Sequence, residues 1–236
     1  PQSGSGSGSG GSIYIRAESV SGTGLISAEG GEDITDGWRG GAGGRLAIIL
    51  TGSGSVDNIA LDLDASCGYG YRGMGGAGTV YLEDMSHAAG QGVLIVDNGG
   101  ESGQSTPIVN GVDLSAFERV ELGGNARIEI NSESVVDFGT LNLQPAGSSV
   151  ASMDIVDDTG VDYGTTLTVD DVTLRFVGTG FSPLNSLVVT NGGIVTGTQR
   201  ELALTLMGDL TVHSNGLVTM NGLGYRCTGG DNSPYV

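Results

Sequence analysis

Short runs of alternating apolar and polar residues recur along this chain. Alternation with a period of two, enrichment in Val, Ile and Thr, and Gly, Asn or Asp between the runs are typical of β-strands. No stretch carries a helical apolar stripe, and residues 112–120 are predicted to form at most one short helical turn. The pattern therefore predicts an all-β protein. The predicted strands cover residues 12–16, 45–50, 58–64, 79–83, 93–97, 127–131, 167–169, 172–177, 186–190, 202–206 and 210–212.

The spacing of these strands is compatible with two architectures, a β-sandwich and a β-solenoid. Residues 208–222 favour the solenoid because they read as strand, tight turn, strand, tight turn. Asn191-Gly192, Asn215-Gly216 and Asn221-Gly222 can supply the positive φ angles that such corners need. Inward Val, Leu and Ile would then form a continuous core between coils stacked ~4.8 Å apart. We predict a right-handed parallel β-helix, with a β-sandwich as the alternative.

Glycine is the most distinctive residue of the chain, at 45 of 236 positions. One glycine-rich motif recurs, as WRGGAGG at residues 38–44, GYRGMGG at residues 70–76 and GYRCTGG at residues 224–230. The first two copies lead into predicted strands, and the third would do so if the end of the chain were joined to its beginning. The repeat therefore predicts one period of a longer array.

The domain organisation follows from the same distribution of glycine. We predict a single elongated unit over residues 1–236, with a glycine-rich half at 1–100 and a more regular β-helical half at 101–236. The opening run SGSGSGSGGS, residues 3–12, has the composition of a flexible linker. Comparison with the other glycine-rich strand entries predicts instead an ordered, extended backbone that packs on a neighbouring coil or a preceding unit.

Four short motifs carry a resemblance to a known class of proteins. They are GSGGSIYI at residues 8–15, GLISAEGG at 24–31, GGRLAI at 43–48 and GDLTV at 208–212. In these the chain resembles large glycine-rich bacterial repeat proteins, secreted or displayed on the surface, with parallel β-helix (pectin-lyase-like) segments. The resemblance implies an extracellular or cell-surface location and a structural or adhesive role, and it transfers no catalytic residue.

The charge of the chain limits its partners. Nine Arg, no Lys and 27 acidic residues give a formal net charge of −18, which disfavours nucleic acid and anionic membrane surfaces and favours cations. No apolar run approaches the ~18 residues of a membrane span, so no membrane insertion is predicted. Without Lys, isopeptide crosslinks to Asn or Asp cannot form within this chain.

Two acidic loops are candidate calcium sites, because calcium takes six to eight oxygen ligands. Neither loop has the spacing of an EF-hand or of the glycine-rich calcium roll, and solvated acidic loops are the simpler interpretation. The candidate ligands are Glu32, Asp33, Asp36, Asp157, Asp158 and Asp162.

The aromatic-Arg-Gly motifs are candidate junctions between coils or subunits. A guanidinium can stack on an aromatic ring, and glycine lets two backbones approach closely. Ordinary surface loops are the alternative. Cys67 and Cys227 lie beside two of the motifs without any zinc or redox spacing, so a bond between stacked units is a further hypothesis. The candidate interface residues are Trp38, Arg39, Tyr71, Arg72, Tyr225, Arg226, Cys67 and Cys227.

Signals for catalysis are weak. Asp62 and Asp64 share one side of a predicted strand and could act as a glycosidase pair, although a solvated acidic face gives the same pattern. His87 and His213 lie in no catalytic motif. We therefore expect a structural module of an extracellular fibre or surface array that self-associates or continues in a longer chain. The alternatives are a β-helix that binds or cleaves polysaccharide and an adhesin or phage receptor-binding tip.

Overall fold

The computed structural model describes residues 7–33, 39–146, 151–198 and 201–221. These residues form an all-β structure without an α-helix; the helical turns in it are two 3-10 turns, Val56–Asn58 and Leu114–Ala116. Nearly every strand pair is parallel, and successive coils stack into a β-solenoid. The predicted fold class is thus confirmed, and the β-sandwich alternative is wrong.

The strands divide into a first region, β1 to β5, and a second region, β6 to β19. Their bounds are β1 Ser12–Ala17, β2 Leu25–Ser27, β3 Arg45–Leu50, β4 Asp62–Asp64, β5 Thr79–Glu83, β6 Val93–Asp97, β7 Thr106–Ile108, β8 Arg119–Gly123, β9 Arg127–Ile130, β10 Val136–Asp137, β11 Leu143–Ala146, β12 Ser152–Ile155, β13 Val161–Asp162, β14 Thr166–Asp170, β15 Thr173–Phe176, β16 Ser186–Thr190, β17 Ile194–Gly197, β18 Leu210–Val212 and β19 Leu217–Thr219.

The first region is a short solenoid with three walls. Strands β1, β3 and β5 form one parallel wall, in which Ile13 pairs with Leu46 and Leu46 with Val80. Strands β2 and β4 form the second wall. The apolar side chains between these walls make a small core that includes Ile48 and Leu82.

The third wall is a bundle of extended glycine-rich segments, residues 7–11, 28–33, 39–44, 65–70 and 73–78, which we call the glycine bundle. Its central segment, 39–44, hydrogen-bonds to all four others, through pairs that include Gly10 N to Ala42 O and Gly43 N to Gly76 O. A β-strand bonds to two neighbours, so this network extends in three dimensions. A Cβ on Gly43 would lie 1.8 Å from the Ala65 carbonyl oxygen, which explains why glycine is needed.

The hydrogen bonds of the glycine bundle show whether the described part of the opening run, residues 7–11, is ordered. Gly10 donates its N–H to Ala42 O at 2.8 Å, and Gly8 O accepts the N–H of Gly31 at 2.8 Å. Residues 7–11 are therefore ordered and packed on neighbouring coils, as predicted. Residues 3–6 lie outside the described residues.

The second region is the longer part of the solenoid, which has about five turns as a whole. One wall consists of β6, β8 and β11 followed by β14, β16 and β18. A second wall is the sheet β7-β9-β12-β15-β17-β19. The third wall is minimal, with β10 paired to β13 and isolated bridges elsewhere, such as Leu184 to Leu206.

Side chains fill the interior of the second region. Among the described residues, its cluster contains 24 buried residues, one of which, Ala77, comes from the first region. The other cluster contains eight, one of which, Val93, comes from β6. Aromatic rings contact one another inside it. Phe138 and Tyr163 are stacked with centroids 5.9 Å apart, and Phe176 and Phe181 meet edge to face with centroids 5.0 Å apart. Complete burial of one such side chain contributes about 1.5–3 kcal/mol, so this core is the main store of apolar stabilisation.

The two regions meet at an antiparallel strand pair that the sequence pattern did not predict. Strands β5 and β6 pair antiparallel, with Val80 opposite Ile95 and Leu82 opposite Val93. Val80 and Leu82 face the first core, whereas Leu94 and Val96 face the second, on the opposite side of the sheet. Strand direction reverses between β5 and β6, while the coils continue to stack in the same direction. Under these conditions two coils have the same hand only if their cores lie on opposite faces of the sheet. Both regions therefore coil with the same hand.

Three details of the predicted pattern are corrected. Residues 58–61 and 202–205 lie outside the strands; Val56–Asn58 instead forms a 3-10 turn capped by Ser55, whose Oγ accepts the N–H of Asp57. Asn191 and Gly192 have the predicted positive φ, but Asn215 and Gly216 do not. Glycine is required at 216 by close approach, because a Cβ there would lie 2.3 Å from Val189 O. Gly222 lies outside the described residues.

Candidate functional site

The last described coil, β18 and β19, leaves the apolar core of the second region open. In β16 and β17, the inward side chains of Leu187, Val189 and Val195 are at most 1% exposed. The residues that pair with them in the next coil are Leu210, Val212 and Val218, and these are 53%, 44% and 38% exposed. The same inward positions are therefore covered in one coil and half-open in the next.

The opposite end of the stack also has an open edge. Strand β1 is the terminal strand of its six-stranded sheet and pairs with β3 alone. Its inward Ile13 and Ile15 are only partly buried, and its outward Tyr14 is exposed. Unpaired backbone groups of an edge strand are a template for another strand.

The aromatic-Arg-Gly motifs come together within the first region. Gly40 N donates to Gly73 O at 3.0 Å, and the Arg39 side chain lies over Gly73, where a Cβ would be 3.7 Å from Nε. Arg39, Tyr71 and Arg72 are exposed, so these loops lie at the surface of the glycine bundle. Trp38, Tyr225 and Arg226 lie outside the described residues. The docking role of the motifs stays a prediction.

Cys67 is a free cysteine within the glycine bundle and is only 3% exposed. Its N–H donates to Asn98 Oδ1 at 3.1 Å, which ties the bundle to the second region. Burial raises the pKa of the Cys67 thiol, so the reactive thiolate is disfavoured. Cys227 lies outside the described residues, and a bond between units stays a prediction.

The acidic loops use their carboxylates to hold turns. Asp157 and Asp162 each accept a backbone N–H two residues ahead, from Thr159 and Gly164, both at 2.8 Å. Hydrogen bonds from Thr159 lower the pKa of Asp157. Asp158 Oδ2 accepts the N–H of Ser182 at 2.6 Å.

The other candidate ligands lie at the glycine bundle. Asp33 bridges to Gly70 and is buried, and Glu32 is exposed. Asp36 lies outside the described residues. Within the described ranges, no group of three or more His, Cys, Asp or Glu side chains is arranged to hold a metal ion. Calcium binding stays a prediction.

Asp62 and Asp64 line a cavity of about 430 Å³ between β4 and the sheet that contains β5 and β6. Asp97 also lines it, above an apolar floor that includes Val80 and Ile95. The carboxylates of Asp64 and Asp97 accept the N–H groups of Ser66 and Gly99, at 2.8 and 2.7 Å. Asp64 and Asp97 are therefore both engaged in turns. The hypothesis that Asp62 and Asp64 form a glycosidase pair stays untested.

A buried polar network at the chain reversal was missed by the sequence analysis. His87 has a side chain only 3% exposed, accepts the Asp84 N–H at Nδ1 and contacts the Glu118 carboxylate through Nε2. Asp84 Oδ2 in turn accepts the Val56 N–H at 2.9 Å. His213, by contrast, is exposed.

The carboxylate of Asp84 is held in its ionised form. Burial raises the pKa of Asp84, but hydrogen bonds from Ser86 and Val56 and the nearby His87 outweigh that effect and lower it to about 2. The short sequence separation of Asp84, Ser86 and His87 was the one available signal for this network, because Val56 and Glu118 are remote in sequence.

A second missed cluster lies on the outer face of β9, β12 and β15. Asp154 is buried and accepts hydrogen bonds from Arg127 Nη2 at 2.6 Å and from Arg175 Nε at 2.8 Å. Arg175 Nη2 also donates to Ser152 Oγ at 2.8 Å. The polar residues of β9, β12 and β15 could have suggested this cluster only if the pairing register of these strands had been known.

Comparison of the chain with protein-family models, with curated proteins and with solved structures gave no match. No helix within the described residues is both long enough and apolar enough to cross a membrane. The functional argument therefore rests on the geometry of the chain.

Proposed function

We propose that this chain is a structural module of an extracellular fibre or cell-surface array, in which β-coils stack end to end. The observation that carries the proposal is the open core of the last described coil. Leu210, Val212 and Val218 continue the inward rows of the preceding coil but are half-exposed. A further coil in the same stack would cover them and add apolar stabilisation of ~25 cal/mol for each Å² buried.

The strand edges support the same function. Among the described residues, β18 and β19 are the terminal strands of their sheets, so within that part of the chain each has N–H and C=O groups without a strand partner beside the open core. Solenoids that stay monomeric cover such ends with polar capping repeats or with charged edge residues, Lys above all. The chain has no Lys, and Thr211, between Leu210 and Val212, carries no charge.

The antiparallel pair β5 and β6, which joins the two regions, shows how one unit could join the next. At β5 and β6, a strand of the first region meets a strand of the second region antiparallel, and the core changes sheet face. If β1 of one unit follows β18 of another, the same change of direction and face recurs. The next unit belongs either to a second copy or to a longer chain, as the repeated glycine motifs suggested.

The location of the module is part of the proposal. It is supported by the resemblance to secreted and surface-displayed repeat proteins and by the acidic, glycine-rich composition. The mechanical strength of the fibre would come from the ladder of backbone hydrogen bonds, because this ladder continues through a junction at which the core changes sheet face.

The test compares two substitutions at neighbouring positions of β18. Val212→Asp places a charge in the open core row, whereas the control Thr211→Asp places the same charge on the outer face of the same strand. We expect filaments or end-to-end oligomers for the original chain and for the control in electron microscopy and light scattering. Val212→Asp should remain monomeric, with an unchanged circular dichroism spectrum.

Two outcomes would contradict this function. The first is a chain that stays monomeric at every accessible concentration. The same test applies to a protein that contains two units in tandem, which should then also show no end-to-end association. The second is equal assembly of the two Asp variants, because the open core would then have no part in the contact.

A further inference from the structure

Strand β4 has a free edge that faces the cavity at the junction of the two regions. Within the described residues β4 pairs with β2 alone, whereas β3, which belongs to the same coil, is covered by β5. The chain reverses after β5, so the second wall of the first region is one strand shorter than the first wall. The cavity of about 430 Å³ lies where its next strand would be, between β4 and the inner faces of Val80 and Ile95.

The side chains along this cavity alternate as they do beside a half-buried strand. Leu63 packs against the first core and is only partly buried, as is Ile95. Asp62 and Asp64 flank Leu63 and lie on the opposite face of β4, because successive side chains of a strand alternate. A strand added to the edge of β4 would therefore place one side chain beside Leu63 and its two neighbours beside the aspartates.

The carboxylates of the cavity have no cationic partner among the described residues. The ion pairs of arginine there go to Asp57, Glu118, Glu121 and Asp154. Asp97 lines the cavity as a third carboxylate. Burial, together with the charges of Asp64 and Glu32, raises the pKa of Glu29, as expected where negative charge accumulates. The negative charge of the cavity is therefore left for a partner to neutralise.

We propose that β4 binds an extended segment of a partner protein with the pattern basic, apolar, basic. The apolar side chain would pack beside Leu63, the two basic side chains would lie beside Asp62 and Asp64, and the backbone would hydrogen-bond to the free edge of β4. A second copy cannot supply this segment, because the chain has no Lys and no two Arg separated by one residue. The site is remote from β18 and β19 in the stack, so it does not depend on the proposed end-to-end assembly.

The experiment measures the fluorescence anisotropy of a labelled, end-capped peptide, Thr-Ser-Arg-Ile-Arg-Ser-Thr, titrated with the purified chain at low ionic strength. We expect saturable binding and slower hydrogen exchange of the β4 amides in the complex. The double variant Asp62→Asn with Asp64→Asn retains oxygen acceptors for the local turns but loses both charges. It should bind at least about fivefold more weakly, because two opposite-charge cross-strand pairs are lost.

The matched control is the double variant Asp170→Asn with Asp209→Asn, which removes two exposed carboxylates of the second region. It changes the net charge equally and should bind as the original chain does. Equal binding by the two double variants would place the peptide elsewhere, and absence of binding by the original chain would remove the site. Circular dichroism of each variant checks that the fold is retained.

Altered ligands separate strand addition from attraction between charges. N-methylation of alternate residues, in one of the two possible phases, removes the N–H groups that face β4 and should abolish binding. If peptides methylated in either phase bind as tightly as the parent peptide, strand addition is refuted. A peptide with Glu in both Arg positions that binds equally would remove the role of the carboxylates, and spermine of equal affinity would reduce the cavity to a site for amines.

Discussion

In the third wall of the first region, neighbouring coils contact each other through backbone atoms, whereas the interior of the second region is filled by side chains. Segment 39–44 of the glycine bundle bonds to four neighbouring segments, and only eight residues form the buried apolar cluster of that region. The second region has a cluster of 24 buried residues, with aromatic rings stacked along it. A β-coil can therefore be closed by a third wall in which neighbouring backbones touch, provided that glycine occupies each point of close approach.

The comparison has consequences for tolerance to mutation. The second region resists added polar or small residues at its inward positions, because cavities there are costly. The first region resists an added side chain at the glycines of close approach in its third wall, such as Gly43, because the atoms that a Cβ would meet there are backbone atoms that cannot move aside.

Phe176→Ala should give the largest loss of stability. Phe176 is buried against Tyr163 and Phe181 in the second core, and such truncations cost about 3–5 kcal/mol. The free energy of unfolding in urea would measure the loss, with Tyr69→Ala as the control because Tyr69 is exposed. Hydrogen exchange should show the loss in residues 93–221 only; equal loss of protection in the glycine bundle would mean that the two regions unfold as one.

Gly43→Ala should destabilise the first region by about 1–3 kcal/mol, as overpacking does. The new Cβ would lie 1.8 Å from Ala65 O and 2.4 Å from Gly78 N, both backbone atoms. Gly24→Ala is the matched control because a Cβ there meets nothing within 4 Å, and it should change stability by less than about 0.5 kcal/mol.

The measurement for the glycine variants uses Cys67 as a local reporter. In a Cys227→Ser background, alkylation of the buried Cys67 thiol reports opening of the glycine bundle. Faster alkylation is expected for Gly43→Ala and an unchanged rate for Gly24→Ala. If both variants react at the same rate, close backbone approach is not what the first region depends on.

Asp84→Asn should weaken the junction between the regions by about 1–3 kcal/mol, because it disturbs a buried, charge-assisted set of hydrogen bonds. Asp84 accepts N–H groups from both Val56 and Ser86, each at 2.9 Å. Asp57→Asn is the control, since Asp57 is exposed and its ion pair with Arg119 should contribute less than about 1 kcal/mol. Urea unfolding of both variants would decide; equal losses would refute a special role for the buried carboxylate.

The effect of Asp84→Asn should also depend on pH. The pKa of Asp84 is lowered from 3.8 to about 2 in the folded chain, so its contribution is fully present above about pH 4 and is lost as the pH falls to about 2. The stability difference between the original chain and Asp84→Asn should therefore be constant near neutral pH and shrink in that acid window. A difference that stays constant down to pH 2 would contradict the assignment.

Much of the fold was predictable because it depends on local pattern. The alternation in residues 45–50 and 186–190 matched observed strands, and the positive φ of Asn191 and Gly192 was expected from turn chemistry. Residues 202–205 show where the pattern failed. They alternate like a strand but lie outside the strands, because strand formation depends on a partner as well as on period.

The candidate sites were less predictable than the fold, because they join residues that are remote in sequence. Cys67 was noted for its neighbouring motif, but its contact with Asn98 depends on the chain reversal. The cluster of Arg127, Asp154 and Arg175 depends on the register that places Ser152 opposite Arg127 and Asp154 opposite Arg175. A shift of one residue in that register would turn these side chains to the other face of the sheet.

Local sequence pattern was enough to predict that this protein is all-β, that its coils turn at Gly and Asn, and that glycine-rich segments lead into strands. Those properties follow from side-chain period and backbone freedom, which act over a few residues. Three features became visible only in three dimensions: strand direction reverses between β5 and β6, the core changes sheet face there, and segment 39–44 bonds to four other glycine-rich segments. These features depend on which segments of the chain pair with each other. A pattern that spans a few residues carries no information on pairing between segments that are distant in sequence.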